Sequence, residues 1–93
     1  KHPGVNPGKN NAGFLPAPVG AYAMAFDHEY RSIFIGSFTK GEIWRVDIET
    51  GRVLWKGFVG RRIRDLVTHP FTGKIYGSCS FGIFELDPFR CGK

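Results

Sequence analysis

Three short apolar runs recur in the same order farther along the chain, and this restricts the fold more than any other feature. Met24-Ala25 is followed by Leu66-Val67 at a separation of 42 residues, Gly36-Ser37 by Gly77-Ser78 at 41, and Ile43-Trp44-Arg45-Val46-Asp47 by Ile83-Phe84-Glu85-Leu86-Asp87 at 40. Each run is short, rich in β-branched and aromatic residues, and bounded by Gly, Thr, Pro or Asp, which is the pattern of strands joined by tight turns. Helical periodicity is absent. In the first repeat, strands are expected over residues 21–26, 32–37, 42–47 and 52–58; in the second, over 63–68, 74–78 and 82–87. Hairpin-length links between successive strands make each repeat an antiparallel meander. Within the third run, alternation puts Trp44 and Val46 on one face and Ile43 and Arg45 on the other.

A four-stranded repeat of about 40 residues has the period of a β-propeller blade. The expected fold is therefore all-β: two consecutive four-stranded antiparallel propeller-type blades, residues 21–60 and 61–93, the second incomplete because only three of its strands are accounted for. A small sandwich or barrel is the alternative, less in keeping with the repeat. With 93 residues there is room for one small domain, and 42% hydrophobic residues are enough for a folded chain. Residues 1–20 differ, with four Gly, four Pro and three Asn, and form an extended arm that Phe14, Leu15 and Val19 could anchor. The opening Lys1-His2-Pro3-Gly4, lacking an initiator Met, suggests a processed or excised chain. Propellers close with about four to eight blades, so two blades leave apolar faces and a strand edge open. The chain is accordingly expected to assemble with other copies of itself or with a partner polypeptide, the arm being ordered against another chain.

The stretch from Gly41 to Lys56, Gly-Glu-Ile-Trp-Arg-Val-Asp-Ile-Glu-Thr-Gly-Arg-Val-Leu-Trp-Lys, resembles the repeat of quinoprotein alcohol-dehydrogenase-like propellers. There an apolar strand ends in Asp, followed by x-x-Thr-Gly, a basic residue and a Trp on the next strand. The resemblance implies that Asp47, Thr50 and Gly51 form the turn between third and fourth strands and that Trp55 docks against the neighbouring blade. In the second repeat Asp87 keeps the motif's place, but Pro88-Phe89-Arg90-Cys91 replaces its turn. Other segments are similar to the inner strands of lactonase-like and surface-layer propellers. Quinone chemistry is not implied, because the adjacent cysteines that the family uses are missing; no cofactor is expected.

The residues offer no catalytic constellation. His28 and His69 lie in corresponding turns without a nucleophile at matching spacing, and Ser37, Ser78 and Ser80 lack a G-x-S-x-G elbow. Cys79 and Cys91 fit no zinc pattern. A disulfide between them would suit a small secreted chain, two free thiols a cytosolic one; the disulfide, with an extracellular location, is the expectation taken to the structure. Arg61, Arg62 and Arg64 cluster where one blade hands over to the next and could bind an anionic ligand, or else pair with Asp65 and Glu85. Trp44, Trp55, Tyr22, Tyr30 and Tyr76 could stack on sugar rings, or fill the space between blades. Because the aromatics fall at strand-core positions, nucleic acid is not the expected partner. No run approaches the roughly 18 apolar residues of a membrane span. The functional expectation is a structural or interaction module completed by assembly; a multi-copy propeller lectin or a piece of a larger propeller enzyme are the alternatives.

Overall fold

The computed structural model describes residues 13–92. The fold is all-β: a four-stranded antiparallel sheet, β1 (Ala21–Phe26), β2 (Ser32–Ser37), β3 (Glu42–Asp47) and β4 (Val53–Phe58), precedes a three-stranded one, β5 (Asp65–Thr68), β6 (Ile75–Cys79) and β7 (Gly82–Leu86). Both sheets are simple meanders in chain order. The only helical turn among the described residues is a short 3-10 turn at Pro88–Arg90, which Asp87 caps by accepting from the Phe89 N–H.

The two sheets share one register. In the first, Ala23 pairs with Gly36, Met24 with Ile35, Ala25 with Phe34 and Phe26 with Ile33. In the second, Asp65 pairs with Ser78, Leu66 with Gly77, Val67 with Tyr76 and Thr68 with Ile75, each pair 42 residues on. The β2–β3 pairs map equally onto β6–β7: Phe34 with Arg45 becomes Tyr76 with Glu85, and Gly36 with Ile43 becomes Ser78 with Ile83. This corrects one sequence match. Gly36-Ser37 corresponds to Ser78-Cys79, not to Gly77-Ser78, so the shared Gly-Ser dipeptide is coincidental and its two glycines face opposite ways.

The main core lies between the sheets. Ala23, Phe34 and Ile43 of the first sheet meet Ile63 and Ile75, with Trp55, Leu66, Phe84 and Leu86 packed around them. Ile63 belongs to the linker and plugs against Gly36, where a Cβ would collide with its side chain. The opposite face of the first sheet has its own cluster, Ile33, Ile35 and Val46, flanked by Trp44, Val53 and Leu15. Strand β2 is therefore buried on both faces along its whole length, the behaviour of a central strand with a layer on each side.

A bulge explains how β4 serves both layers. The register shifts between Arg45 and Val46, so that Arg45 faces Trp55 while Val46 faces Val53. Leu54 takes up the extra residue, and Val53 and Trp55, two apart, project to opposite faces.

The arm departs from expectation. Its described part, residues 13–20, lies on the chain's own first sheet: Leu15 joins the Ile33–Ile35–Val46 cluster, the Ser37 hydroxyl donates to the Val19 carbonyl at 2.6 Å, and the Phe38 N–H donates to Gly20 at 2.8 Å. Of the expected anchors only Leu15 is packed there, Phe14 and Val19 being 65% and 72% exposed. The expectation for the earlier arm residues, with Pro3 and Pro7, lies outside the described residues.

Candidate functional site

Two regions gather polar chemistry, one at each end of the strands. At the first end, the β1–β2 and β5–β6 loops meet the tail after β7. Asp27 closes the β1–β2 loop: Oδ1 accepts from the Glu29 and Arg31 N–H groups at 3.0 and 2.9 Å, and Oδ2 from the Ser32 N–H and hydroxyl at 3.1 and 2.6 Å. Burial alone would raise this carboxyl, but the bonds from the Ser32 hydroxyl, the Arg31 N–H, Arg45 and the Ser32 N–H outweigh it and hold the pKa below the ordinary carboxylate value.

Arg45 completes the network. Its Nε donates to Ser32 Oγ at 2.8 Å, its Nη1 to the carbonyls of Pro88 and Cys91 at 2.9 and 3.1 Å, and its Nη2 lies 3.5 Å from Asp27 Oδ2. The guanidinium also stands 5.3 Å from the Phe34 ring centre. One side chain thus ties the tail of the second sheet to the loop of the first. Sequence reasoning placed Arg45 on the right face but missed this clamp, whose partners lie 43 and 46 residues away. An open cavity of about 410 Å³ adjoins it, lined among others by Asp27, His28, Arg45, Thr72 and Phe89.

The histidines here have structural duties. His28 bonds through Nε2 to the Pro70 carbonyl at 2.9 Å, joining the two loops. His69 Nδ1 accepts from the Phe71 and Thr72 N–H groups at 3.1 and 3.2 Å. In the shared register His69 occupies the place of Asp27, and its ring nitrogen closes the second loop as that carboxylate closes the first. Among the described residues no cluster of three or more His, Cys, Asp or Glu could hold a metal ion.

Asp47, Thr50 and Gly51 form the β3–β4 turn: Asp47 Oδ1 accepts from the Thr50 N–H and its carbonyl from the Gly51 N–H, at 2.9 and 2.8 Å. Gly51 has φ of 76°, which a side chain would strain. Trp55 packs on the inter-sheet core, its ring over Gly57.

Cys79 and Cys91 are free thiols, not the expected disulfide. Cys79 pairs with Gly82 at one end of β7, whereas Cys91 lies beyond the other end, after the Pro88–Arg90 turn. The five residues of β7 span roughly 16 Å, far more than the ~7 Å that a bridge tolerates.

The opposite end holds the arginines. The linker carrying them is fixed on both sides: Val59 and Arg62 donate to Gly41 and Phe38 of the first sheet, while Ser80 donates to Arg61 and Arg64 to Ser78 of the second. Arg61, Arg62 and Arg64 are all exposed. None forms an ion pair among the described residues, so the expected alternative of pairing with Asp65 and Glu85 does not hold; Glu85 is taken by Lys74 at 2.8 Å.

Of the aromatics considered for sugar stacking, Trp44 has the Lys56 ammonium 4.2 Å from its ring centre and Trp55 lies in the core, while Tyr22 and Tyr30 are exposed. The placement of aromatics at core positions thus holds only in part. No helix among the described residues is long and apolar enough to cross a membrane. Neither a known protein family nor a curated protein sequence matches this chain.

Proposed function

We propose that the chain is a structural and interaction module of β-propeller type, two blades that work by joining further blades supplied by other copies of itself. The supporting observation is the face equivalence in the shared register. On the face of the first sheet that meets the second, Phe34 and Ile43 are buried and Ala25 beside them is half-buried. Their counterparts on the second sheet, Val67, Tyr76 and Ile83, lie on its outward face, where Val67 and Ile83 are 60% and 77% exposed. A surface that is covered in one blade is open in the next.

The complementary half is also present. Leu66, Ile75 and Phe84, which cover the first sheet, correspond to Met24, Ile33 and Trp44 on that sheet's far face. An arriving copy meets Met24 and Phe26, both exposed, beside the Leu15 strap. Such a contact is head-to-tail, and it closes into a ring or runs on as a filament according to the rotation per copy. The free edge of β7 lends itself to further pairing.

Native mass spectrometry over a concentration series tests the reading. Assembly that Ile83→Asp abolishes, with the circular dichroism of the variant unchanged, is the expected result. A folded monomer at all micromolar concentrations refutes it.

A further inference from the structure

The arginine end has more to it than three exposed cations. Lys40 lies in the β2–β3 turn, and that turn and the linker are in backbone contact: a Cβ on Gly41 would strike the Gly60 carbonyl and the Arg61 nitrogen. Lys40, Arg61, Arg62 and Arg64 therefore share one rim, all exposed. The acidic residues are distributed the other way. Asp27, Glu29, Glu49 and Asp87 in loops and Asp47 at the end of β3 lie at the far end, and near the arginines only Glu42 and Asp65 remain. Glu42 accepts from the Trp44 indole N–H at 3.0 Å. Among the described residues this rim thus carries four cations against two carboxylates.

Aromatic rings stand among these cations. Phe81, at the tip of the β6–β7 turn, is 83% exposed and lies against Gly60, next to Arg61. Tyr22 is turned outward by the bulge between Ala21 and Ala23, and its ring centre is 5.3 Å from that of Phe38. The Arg64 guanidinium sits 5.8 Å from the other ring centre of that pair, Phe38. Cations that track a phosphate backbone, interleaved with rings on which bases stack, are the two components of a single-strand nucleic-acid surface. A sulfated glycan would use the cations and meet Phe81 only through the CH groups of its sugar rings, whereas a base stacks on it π-face to π-face.

We infer that this rim, Lys40, Arg61, Arg62 and Arg64 with Phe81 and Tyr22, binds single-stranded nucleic acid without sequence preference. The inference does not depend on the propeller reading. The test is fluorescence anisotropy of a labelled single-stranded oligonucleotide of about 12 nucleotides with the full chain, across a salt series. Neutralising up to four phosphates gives a plot of log K against log salt with a slope of about −3 at most, and Arg61→Ala or Arg62→Ala makes it shallower by about 0.7. Phe81→Ala weakens binding about fivefold or more and leaves the slope unchanged. Because these side chains are exposed, the variants keep the wild-type circular dichroism spectrum. Absence of binding at about 50 mM salt overturns the inference. So does heparin binding as tightly as the oligonucleotide with Phe81→Ala affecting neither, which would assign the rim to acidic glycans.

Discussion

Replacing Arg45 by Ala should cost about 3 kcal/mol of folding stability, and the structure says where the loss arises. Breaking a buried charged pair by removing one partner typically costs about 3–5 kcal/mol. Here the carboxylate left behind is not stranded, because Asp27 keeps the N–H groups of Glu29, Arg31 and Ser32 and the Ser32 hydroxyl. The direct Arg45–Asp27 approach is also long, at 3.5 Å. Most of the cost therefore comes from the Pro88 and Cys91 carbonyls, which lose their common donor, and from lost packing on Phe34. The lower end of the range follows. Urea unfolding of Arg45→Ala, Ser32→Ala, Asp27→Asn and the double variants would show it. Coupling between Arg45 and Ser32, bonded at 2.8 Å, should exceed that between Arg45 and Asp27. A loss below about 1 kcal/mol for Arg45→Ala, the scale of surface changes, would refute the clamp.

Because the native Asp27 pKa lies below its unfolded value, its contribution is complete above about pH 5 and disappears as pH falls through the lowered native value; the melting temperature should drop on acidification, less steeply in Asp27→Asn. Trp55→Ala should cost about 2–4 kcal/mol, somewhat under the range for a fully buried Trp, and a denaturation midpoint equal to wild type would contradict its place in the inter-sheet core. Gly57→Ala should destabilise by about 1–3 kcal/mol because the new methyl meets the Trp55 ring. Unfolded, unreduced protein should titrate two thiols. In the native state Cys79 should be alkylated first, since burial, against the pull of Arg45 and with the push of Asp87, raises the Cys91 thiol; no titratable thiol would restore the disulfide.

Strand order was legible because short apolar runs between turn residues report pleated segments directly. The Asp47–Gly51 turn was legible for a local reason, as its hydrogen bonds span at most five residues. The Arg45 clamp was not, since its partners are carbonyls on a tail whose course depends on the Pro88–Arg90 turn. Nor does alternation show that Val53 and Trp55 face opposite ways, because that requires the Leu54 bulge. The Gly-Ser match misled by one residue: dipeptide identity carries no ladder information, and a one-residue slip reverses every side chain. Tyr22, which strand alternation left between sugar stacking and the space between blades, is 68% exposed because a bulge turns it outward.

The register also sets how firmly copies of the proposed module hold one another. Moving along it, the half-buried Arg45 is replaced by Glu85, Phe34 by Tyr76 and Ala23 by Asp65, and no strand is described where β4 would bring a second Trp55. Glu85 is already held by Lys74 at 2.8 Å and approached by the Tyr76 hydroxyl at 3.4 Å. An outward face with two carboxylates and no clamp buries less apolar surface, and desolvating those carboxylates costs free energy that the internal interface never incurs. The contact between copies must then be weaker than the contact between the two sheets of one chain, and assembly should be reversible at roughly micromolar concentration. Dilution followed by light scattering decides this: dissociation into folded single chains supports the argument, and an assembly that persists unchanged to nanomolar concentration removes it.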